Sequence, residues 1–472
     1  MRVLADVKPT AEQLPILYDY QPGFVLIRGA AGSGKTTTAV LRLRHVTGAR
    51  VSERSRKGIE APVRVLVLTY NKTLRGYVKE LVEEKMDLDQ VHLKISTFGK
   101  WAGEVQDKPR VLSPARRSRE LWKLGNGIGY ERDFLLDEID YVLGRYLPEQ
   151  IDQYYADPKH PYFERRGRGP APRVSRKRRE RIVDEVIEPY KAWKEEEGLL
   201  DWADVDLGMV QREPSPEERW DVVVVDEAQD FSANQIRGLT NHLARSHSTT
   251  FVLDAIQRVY PRGFGWPEVK VKVENSQTYH LRRNHRNTRQ IAAFALPLVR
   301  DLPKEDDGTL PDFKRCAEKG EVPFVVRGSF TAQMDWVIRS IEEKPSDESV
   351  ALLHAKGGGW FDFVRERLSA AKIPFVELQG RAEWPTGEEQ VGLSTLHSAK
   401  GLEFDHVYIL GLAAEQMPHG SEENDTQLNN HRRLVAMAIG RARKSVALTY
   451  KPGEESQVVH LLDAKTYREV DL

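Results

Sequence analysis

The sequence predicts an α/β protein built on two parallel sheets flanked by helices, with a mostly helical insertion in the first. Three observations carry this. Strand-then-helix alternation with Gly-rich turns occupies two stretches of the chain. Between them, residues 101–188 are rich in Arg, Glu, Tyr and Leu and lack comparable β-branched runs. A glycine-rich turn joins an apolar run to a helix-compatible segment near residue 30.

In the first stretch the apolar runs are 24–28, 64–69 and 221–226, and in the last they are 350–354, 392–395 and 406–411. Each has the β-branched content of a strand buried on both faces. At about 100–200 residues per domain, 472 residues imply two to four units. Lys and Arg number 71, as do Asp and Glu, so whole-molecule charge identifies no partner. With 40% hydrophobic and 30% charged residues the chain reads as globular, not disordered or collagenous. No apolar run approaches the roughly 20 residues of a membrane span, and the first residues lack a signal-peptide apolar region. The single Cys316 excludes an intramolecular disulfide and a cysteine-cluster zinc site, so a reducing, cytoplasmic setting is expected.

Gly29-Ala30-Ala31-Gly32-Ser33-Gly34-Lys35-Thr36 follows the run 24–28 and precedes a segment, from Thr37 onward, that suits a helix. Its spacing, G-x-x-x-x-G-K-T, lets backbone N–H groups close around a triphosphate. Lys35 would reach the β and γ phosphates and Thr36 would ligate Mg²⁺. The bland alternative, a glycine-rich turn with a surface lysine, explains neither the strand before nor the helix after. The run 222–225 leads into Asp226-Glu227-Ala228-Gln229-Asp230. Asp226 is the expected metal ligand, and Glu227 the group that orients and deprotonates water. An acidic pair after a strand is more often a helix cap. Together with the loop at 29–36, the catalytic reading wins.

Residues 165–181 hold nine basic side chains and one acid, Glu180. Such a run can neutralise phosphates and steepen the salt dependence of binding. Taken alone, a solvated or disordered surface loop is the slightly favoured reading.

From here the chain resembles the UvrD/Rep-type superfamily 1 helicases, through a series of motifs in the family's order. Thr10-Ala11-Glu12-Gln13 is similar to the adenine-reading segment, which implies that Gln13 contacts the base. Thr69-Tyr70-Asn71-Lys72 and Ser96-Thr97-Phe98 resemble segments that touch single strands, implying contacts by Tyr70, Asn71, Thr97 and Phe98, with Gly99 where histidine is usual. The segment 252–260 resembles the third motif, with Leu253 replacing glycine, and implies a γ-phosphate sensor at Gln257. Tyr260, Phe264 and Trp266 follow in a Gly/Pro-containing loop. Aromatic rings there can stack on bases for about 1–3 kcal/mol each, with core packing the alternative, evenly matched for Phe264. Around Leu281-Arg282-Arg283-Asn284-His285-Arg286 the resemblance implies His285 as adenine platform and Arg286 on the γ-phosphate. The stretch 432–442 implies a second arginine finger, Arg441, with Gly440 in threonine's usual place. The stretch 395–405 implies Thr395 and His397 toward nucleic acid, and Gly401 and Glu403 toward the nucleotide, Glu403 through the ribose. The pattern Tyr190-x-x-Trp193 with Asp201-Trp202-x-Asp204 resembles the helical return into the first motor domain.

The resemblance implies two RecA-like domains: 1–100 with 190–282, and 283–472, the helical insertion being 101–189. It also implies ATP and Mg²⁺ as cofactors, single-stranded nucleic acid (DNA) as partner, movement 3′ to 5′, and no membrane. Only about 377–389 is available for the family's second accessory subdomain, too little for a folding unit. Translocation is therefore a safer expectation than unaided unwinding. Two other classes compete: an ATPase switch in a repair or defence complex with a partner such as a nuclease, and a metabolic P-loop enzyme indifferent to strands.

Overall fold

The computed structural model describes residues 9–29, 32–69, 90–155, 174–253, 264–274, 277–281, 284, 286–302, 316, 318–357, 359–378, 389–420 and 425–472. The first sheet comprises β1 (Gly23–Gly29), β2 (Val63–Thr69), β3 (Val91–Thr97), β4 (Trp220–Val225), β5 (Leu243–Leu253) and β6 (Thr278–Leu281). The second comprises β7 (Phe324–Arg327), β8 (Val350–His354), β9 (Phe375–Glu377), β10 (Val391–Thr395), β11 (Phe404–Leu410), β12 (Ala442–Tyr450) and β13 (Arg468–Asp471). Their orders are β3-β2-β4-β5-β1-β6 and β13-β7-β12-β11-β8-β10-β9. Every pairing within the two sheets is parallel. The six apolar runs of the sequence all become strands.

Parallel strands covered on both faces must be apolar throughout. Thus β8 and β10 are buried along their whole length, and β4 and β11 everywhere except their second residue. β5 departs from this rule. It carries Ser246, His247, Ser248, Thr249 and Thr250, yet lies between β4 and β1. The buried Arg42, on helix Lys35–Arg56, donates to Thr250 Oγ1 at 3.2 Å and to the Ile16 carbonyl at 2.8 Å. A buried guanidinium thus serves hydroxyls that would otherwise lack partners.

Between β3 and β4 the chain is helical. Helix Phe98–Val105 packs Phe98, Trp101 and Ala102 into the core of the first sheet. A separate core, with members from Leu112 to Leu199, is shared by helices Pro114–Gly125, Arg132–Arg145 and Glu188–Glu196. Of the basic run, 165–173 lie outside the described residues, whereas Arg176–Arg181 is a helix capped by Ser175. Arg179 is 6% exposed and donates to the carbonyls of Val174 and Tyr154, both at 3.0 Å. This arginine is structural, which corrects both the phosphate-facing and the solvated-loop readings at this position. Arg178 stacks over Tyr130 at 4.6 Å, and Arg176 pairs with Glu180.

In the second half, β9 and β10 are neighbours joined by residues 378–390. That link is about the minimum for a parallel crossover, which takes a dozen residues or more, and leaves no room for a further domain. One core cluster contains residues of β1 and β2 as well as β8, β11 and β12, so the sheets share packing. Among the described residues no helix is long and apolar enough to cross a membrane.

Candidate active site

Ligands of parallel sheets gather at the carboxyl ends of the strands, and the expected residues converge there. β1 ends at Gly29, and helix Lys35–Arg56 starts after Gly34. Gly32 and Gly34 have φ +77, a left-handed conformation that favours glycine. A Cβ on Gly29 would lie 2.4 Å from Ser33 Oγ. On Gly32 it would lie 2.2 Å from Asn284 Oδ1 and 2.7 Å from Arg286 Cβ, and on Gly34 2.9 Å from Gln13 Nε2. The loop is thus a cradle with no space for side chains at three positions, and residues after β6 help close it. No side chain caps the helix, so first-turn N–H groups face the loop. Lys35 Nζ donates to the Gly29 carbonyl at 2.8 Å, and Thr37 is half-buried in the first turn. Ser33 Oγ is buried without a hydrogen-bond partner among the described residues.

One strand, β5, separates β1 from β4, a gap of about 9–10 Å. Thr36 closes it: its Oγ1 donates to Asp226 Oδ2 at 3.0 Å. Burial, and then the adjacent Glu227 carboxylate, push Asp226 up to about 7. An anionic oxygen beside a hydroxyl is the donor set of a hard divalent cation, so Thr36 and Asp226 fit Mg²⁺. Glu227 itself has φ +53, rare for a residue with a side chain and costing about 1–3 kcal/mol. Burial favours its neutral form, but Lys400, Arg441 and Lys35 outweigh this and hold it below the usual carboxylate range. Gln229 Nε2 donates to its Oε2.

Two of those cations come from the second sheet. Lys400, in the turn after β10, pairs with Asp230 and lies 3.7 Å from Glu227 Oε2. Arg441, 2% exposed, donates from Nη1 to the Leu402 carbonyl at 3.5 Å and from Nε to Met437 Sδ at 3.2 Å. Arg286 pairs with Glu403 and donates to the Gly440 carbonyl at 3.4 Å. Gly401 turns the chain at φ +84 between them. Lys35, Asp226, Glu227, Arg286 and Arg441 are therefore brought close together where the two sheets meet. Gln13 is 3% exposed, its amide donating to Thr38 Oγ1 and accepting from Thr10 N, both at 2.8 Å.

Ala30, Tyr70, Asn71, Gln257, Tyr260 and His285 lie outside the described residues. Of the other expected strand contacts, Thr97 caps helix Phe98–Val105, accepting from Lys100 N at 3.3 Å. Phe98, 3% exposed, packs edge-on to Trp101 at 5.5 Å and Phe231 at 6.2 Å in the core of the first sheet and also lines the cavity beside Trp202. Trp266 is half-buried, 4.8 Å from Phe251 and 5.5 Å from Phe264. Thr395 accepts from Ser398 N at 3.2 Å, and His397 is exposed.

Three residues escaped the sequence reading. Asn284 seals the loop over Gly32, and Lys400 joins the two sheets. Trp202 is 45% exposed beside a cavity of about 610 Å³ that is also lined by Thr69, Thr97, Gly99, Phe231 and Gln235. A Cβ on Gly99 would lie 3.2 Å from its ring, so this tryptophan occupies space next to the position where histidine was expected. All three belong to segments whose pattern had been noticed for other residues.

A glycine cradle between a central parallel strand and a helix, opposite a strand ending in Asp-Glu, defines a P-loop protein. Residues 11–266, more than half the chain, match the UvrD/REP helicase N-terminal domain, and residues 378–452 match the UvrD-like helicase C-terminal domain. The chain belongs to the UvrD/REP helicase family, and its two parallel sheets are RecA-like domains. It is 27% identical over 153 residues to ATP-dependent DNA helicase Rep of Escherichia coli, covering 30% of this chain and 22% of that protein. It is 21% identical over 469 residues to a probable DNA helicase of Mycoplasma pneumoniae, covering 90% and 80%. Against ATP-dependent DNA helicase PcrA of Bacillus subtilis it is 36% identical over 74 residues, covering 16% and 10%. The matched stretches span less than a quarter of Rep and PcrA. A solved C-terminal domain of a possible DNA helicase from a Lactobacillus shares 21% identity at a TM-score of 0.30, covering 39% of this chain and 98% of that one, and adds nothing to the fold.

Proposed function

We propose that this chain is a cytoplasmic, ATP-driven translocase on single-stranded DNA, moving 3′ to 5′. Its motor domains are 1–100 with 190–282, and 283–472, and 101–189 is a helical accessory unit. The observation that carries the reading is Glu227, set at the end of β4 in the first sheet with Lys400 Nζ of the second 3.7 Å from its Oε2. A water activator that touches both sheets is placed to work when they meet.

In this reading the loop at 29–36 and Lys35 bind the triphosphate, Gln13 and His285 meet the base, and Thr36 and Asp226 hold Mg²⁺. That cation, when bound, supplies charge neutralisation at the β and γ phosphates. Glu227 orients a water and takes its proton. Gln257 senses the γ-phosphate. Arg286 leaves Glu403 and joins Arg441 on the developing negative charge, freeing Glu403 for the ribose. Thr97, Trp202, Trp266, Thr395 and His397 are the described residues that would contact the strand, joined by Tyr70, Asn71 and Tyr260. Thr395, His397, Gly401 and Glu403 share one segment, so nucleotide state reaches strand grip through a single turn, with coupling of about 1–3 kcal/mol.

The test is ATP hydrolysis by the purified chain with and without single-stranded DNA, single-stranded RNA and overhang duplexes, paired with a directional-stepping assay. Strand-stimulated hydrolysis with 3′ to 5′ stepping is expected. Identical turnover with and without every strand would overturn it.

A further inference from the structure

The helix that follows the acidic segment, Ala233–Asn241, buries Ala233, Ile236, Gly238 and Leu239, and among them one polar residue, Asn234, where packing alone would call for an apolar one. Asn234, fully buried, donates to the carbonyls of Leu143 at 3.0 Å and Tyr146 at 3.2 Å. Arg237 donates to the Arg145 carbonyl at 2.6 Å and to the Glu268 carbonyl at 3.4 Å. Both therefore grip the end of the accessory helix Arg132–Arg145.

Arg145, the last residue of that helix, forks its buried guanidinium between Glu268, with which it is ion-paired, and Tyr141. Nε lies 2.9 Å from Oε1, Nη2 donates to Oε2 at 2.9 Å, and the two side chains are 3% and 5% exposed. Nη1 donates to the Tyr141 hydroxyl at 2.8 Å. Glu268 lies in the short turn Trp266–Val269, and its Oε2 also accepts from Gly265 N at 3.2 Å. Three elements therefore meet at one ion pair: the accessory helix, the helix leaving Asp226–Asp230, and the turn that carries Trp266. Replacing a buried pair with apolar groups is often neutral or stabilising, so fold stability is a weak reason for this one to exist. The hydrogen bond from Nη2 to Oε2, together with that from Gly265 N to the same oxygen, fixes orientation instead.

We infer that Arg145 and Glu268 are positioning residues that set Trp266 for strand binding and make that setting follow the acidic segment. The inference rests on the proposed single-strand translocase. A shift of Asp226–Asp230 on nucleotide binding moves helix Ala233–Asn241. Asn234 and Arg237 carry the shift to Arg145, and the fork passes it to Trp266. The accessory unit is the anchor against which the turn is held.

The test uses the full chain carrying Arg145→Lys, which keeps the charge and loses the fork, and Glu268→Gln, which keeps the shape and the Gly265 bond. Three quantities are read: hydrolysis without strand, the concentration of oligo-dT giving half-maximal stimulation, and oligo-dT affinity with and without a non-hydrolysable ATP analogue. Melting temperature and circular dichroism select variants that fold as the parent does. The expected result is strand-free hydrolysis within twofold of the parent, a half-maximal concentration raised about tenfold, and loss of most of the nucleotide dependence of strand affinity. If folded Glu268→Gln matches the parent in all three, or loses strand-free hydrolysis in equal proportion, the pair is structural and the inference fails. If the parent itself ignores oligo-dT, the translocase reading fails first.

Discussion

The two sheets bring opposite chemistry to their shared cleft. The first offers a closed cradle of backbone N–H groups and, across from it, carboxylates at the end of β4. The second offers cations, and these are engaged with the protein's own anions: Lys400 with Asp230 and Arg286 with Glu403. One half is built to receive a ligand as it stands, whereas the other must exchange partners to take part. Triphosphate binding should therefore depend mainly on the first sheet, and turnover on both.

The largest expected effect breaks the second half. Arg441→Ala should lower kcat by about 10³-fold or more while nucleotide affinity changes little, because an arginine on the transferring group acts mainly in the transition state. Steady-state hydrolysis and a fluorescent-nucleotide titration measure the two, and weakened binding with undiminished kcat would reverse the comparison. Glu227→Gln addresses the first half and should cost about 10²–10⁴-fold in kcat with affinity retained. Turnover close to the parent's would assign water activation elsewhere.

A smaller effect concerns the seam. Gly32→Ala puts a methyl group 2.2 Å from Asn284 Oδ1 in a left-handed residue, so it should destabilise the fold by about 1–3 kcal/mol and weaken nucleotide binding. Urea unfolding reads the first and titration the second. An unchanged midpoint would mean that the Asn284 segment gives way freely.

The smallest effect is a pH slope from the second sheet. His354, at the end of β8, is held down at about 4 by burial, and its Nδ1 accepts from Gly357 N at 2.9 Å, as only an unprotonated nitrogen can. The unfolded chain takes up this proton below about 6.5 and the folded one only near 4. Its stabilisation is thus complete above 6.5 and declines as pH falls to 4, by no more than about 1.4 kcal/mol per pH unit. His354→Asn should flatten unfolding free energy between pH 7 and 5 relative to the parent, and parallel curves would remove His354 as the cause.

What the sequence made legible follows from the same physics. The loop at 29–36 was readable because its glycines are required by backbone shape, and β4, β8 and β11 because buried parallel strands have few alternatives to Val, Ile and Leu. β5 was not, because its hydroxyls are satisfied by Arg42, more than 200 residues away in sequence for Thr250. Arg179 was not legible as structural, because a guanidinium suits nucleic acid and a protein interior equally well and only packing distinguishes the two. Lys400 went unremarked because its partners, Asp230 and Glu227, belong to the other sheet.

The lone thiol, Cys316, is 3% exposed. A chain whose native sulfhydryl is shielded accepts dyes almost entirely at cysteines introduced elsewhere. One label on each lobe would turn the hinge between them into a fluorescence ruler, and the opening and closing that hydrolysis implies could be watched in single molecules as they occur.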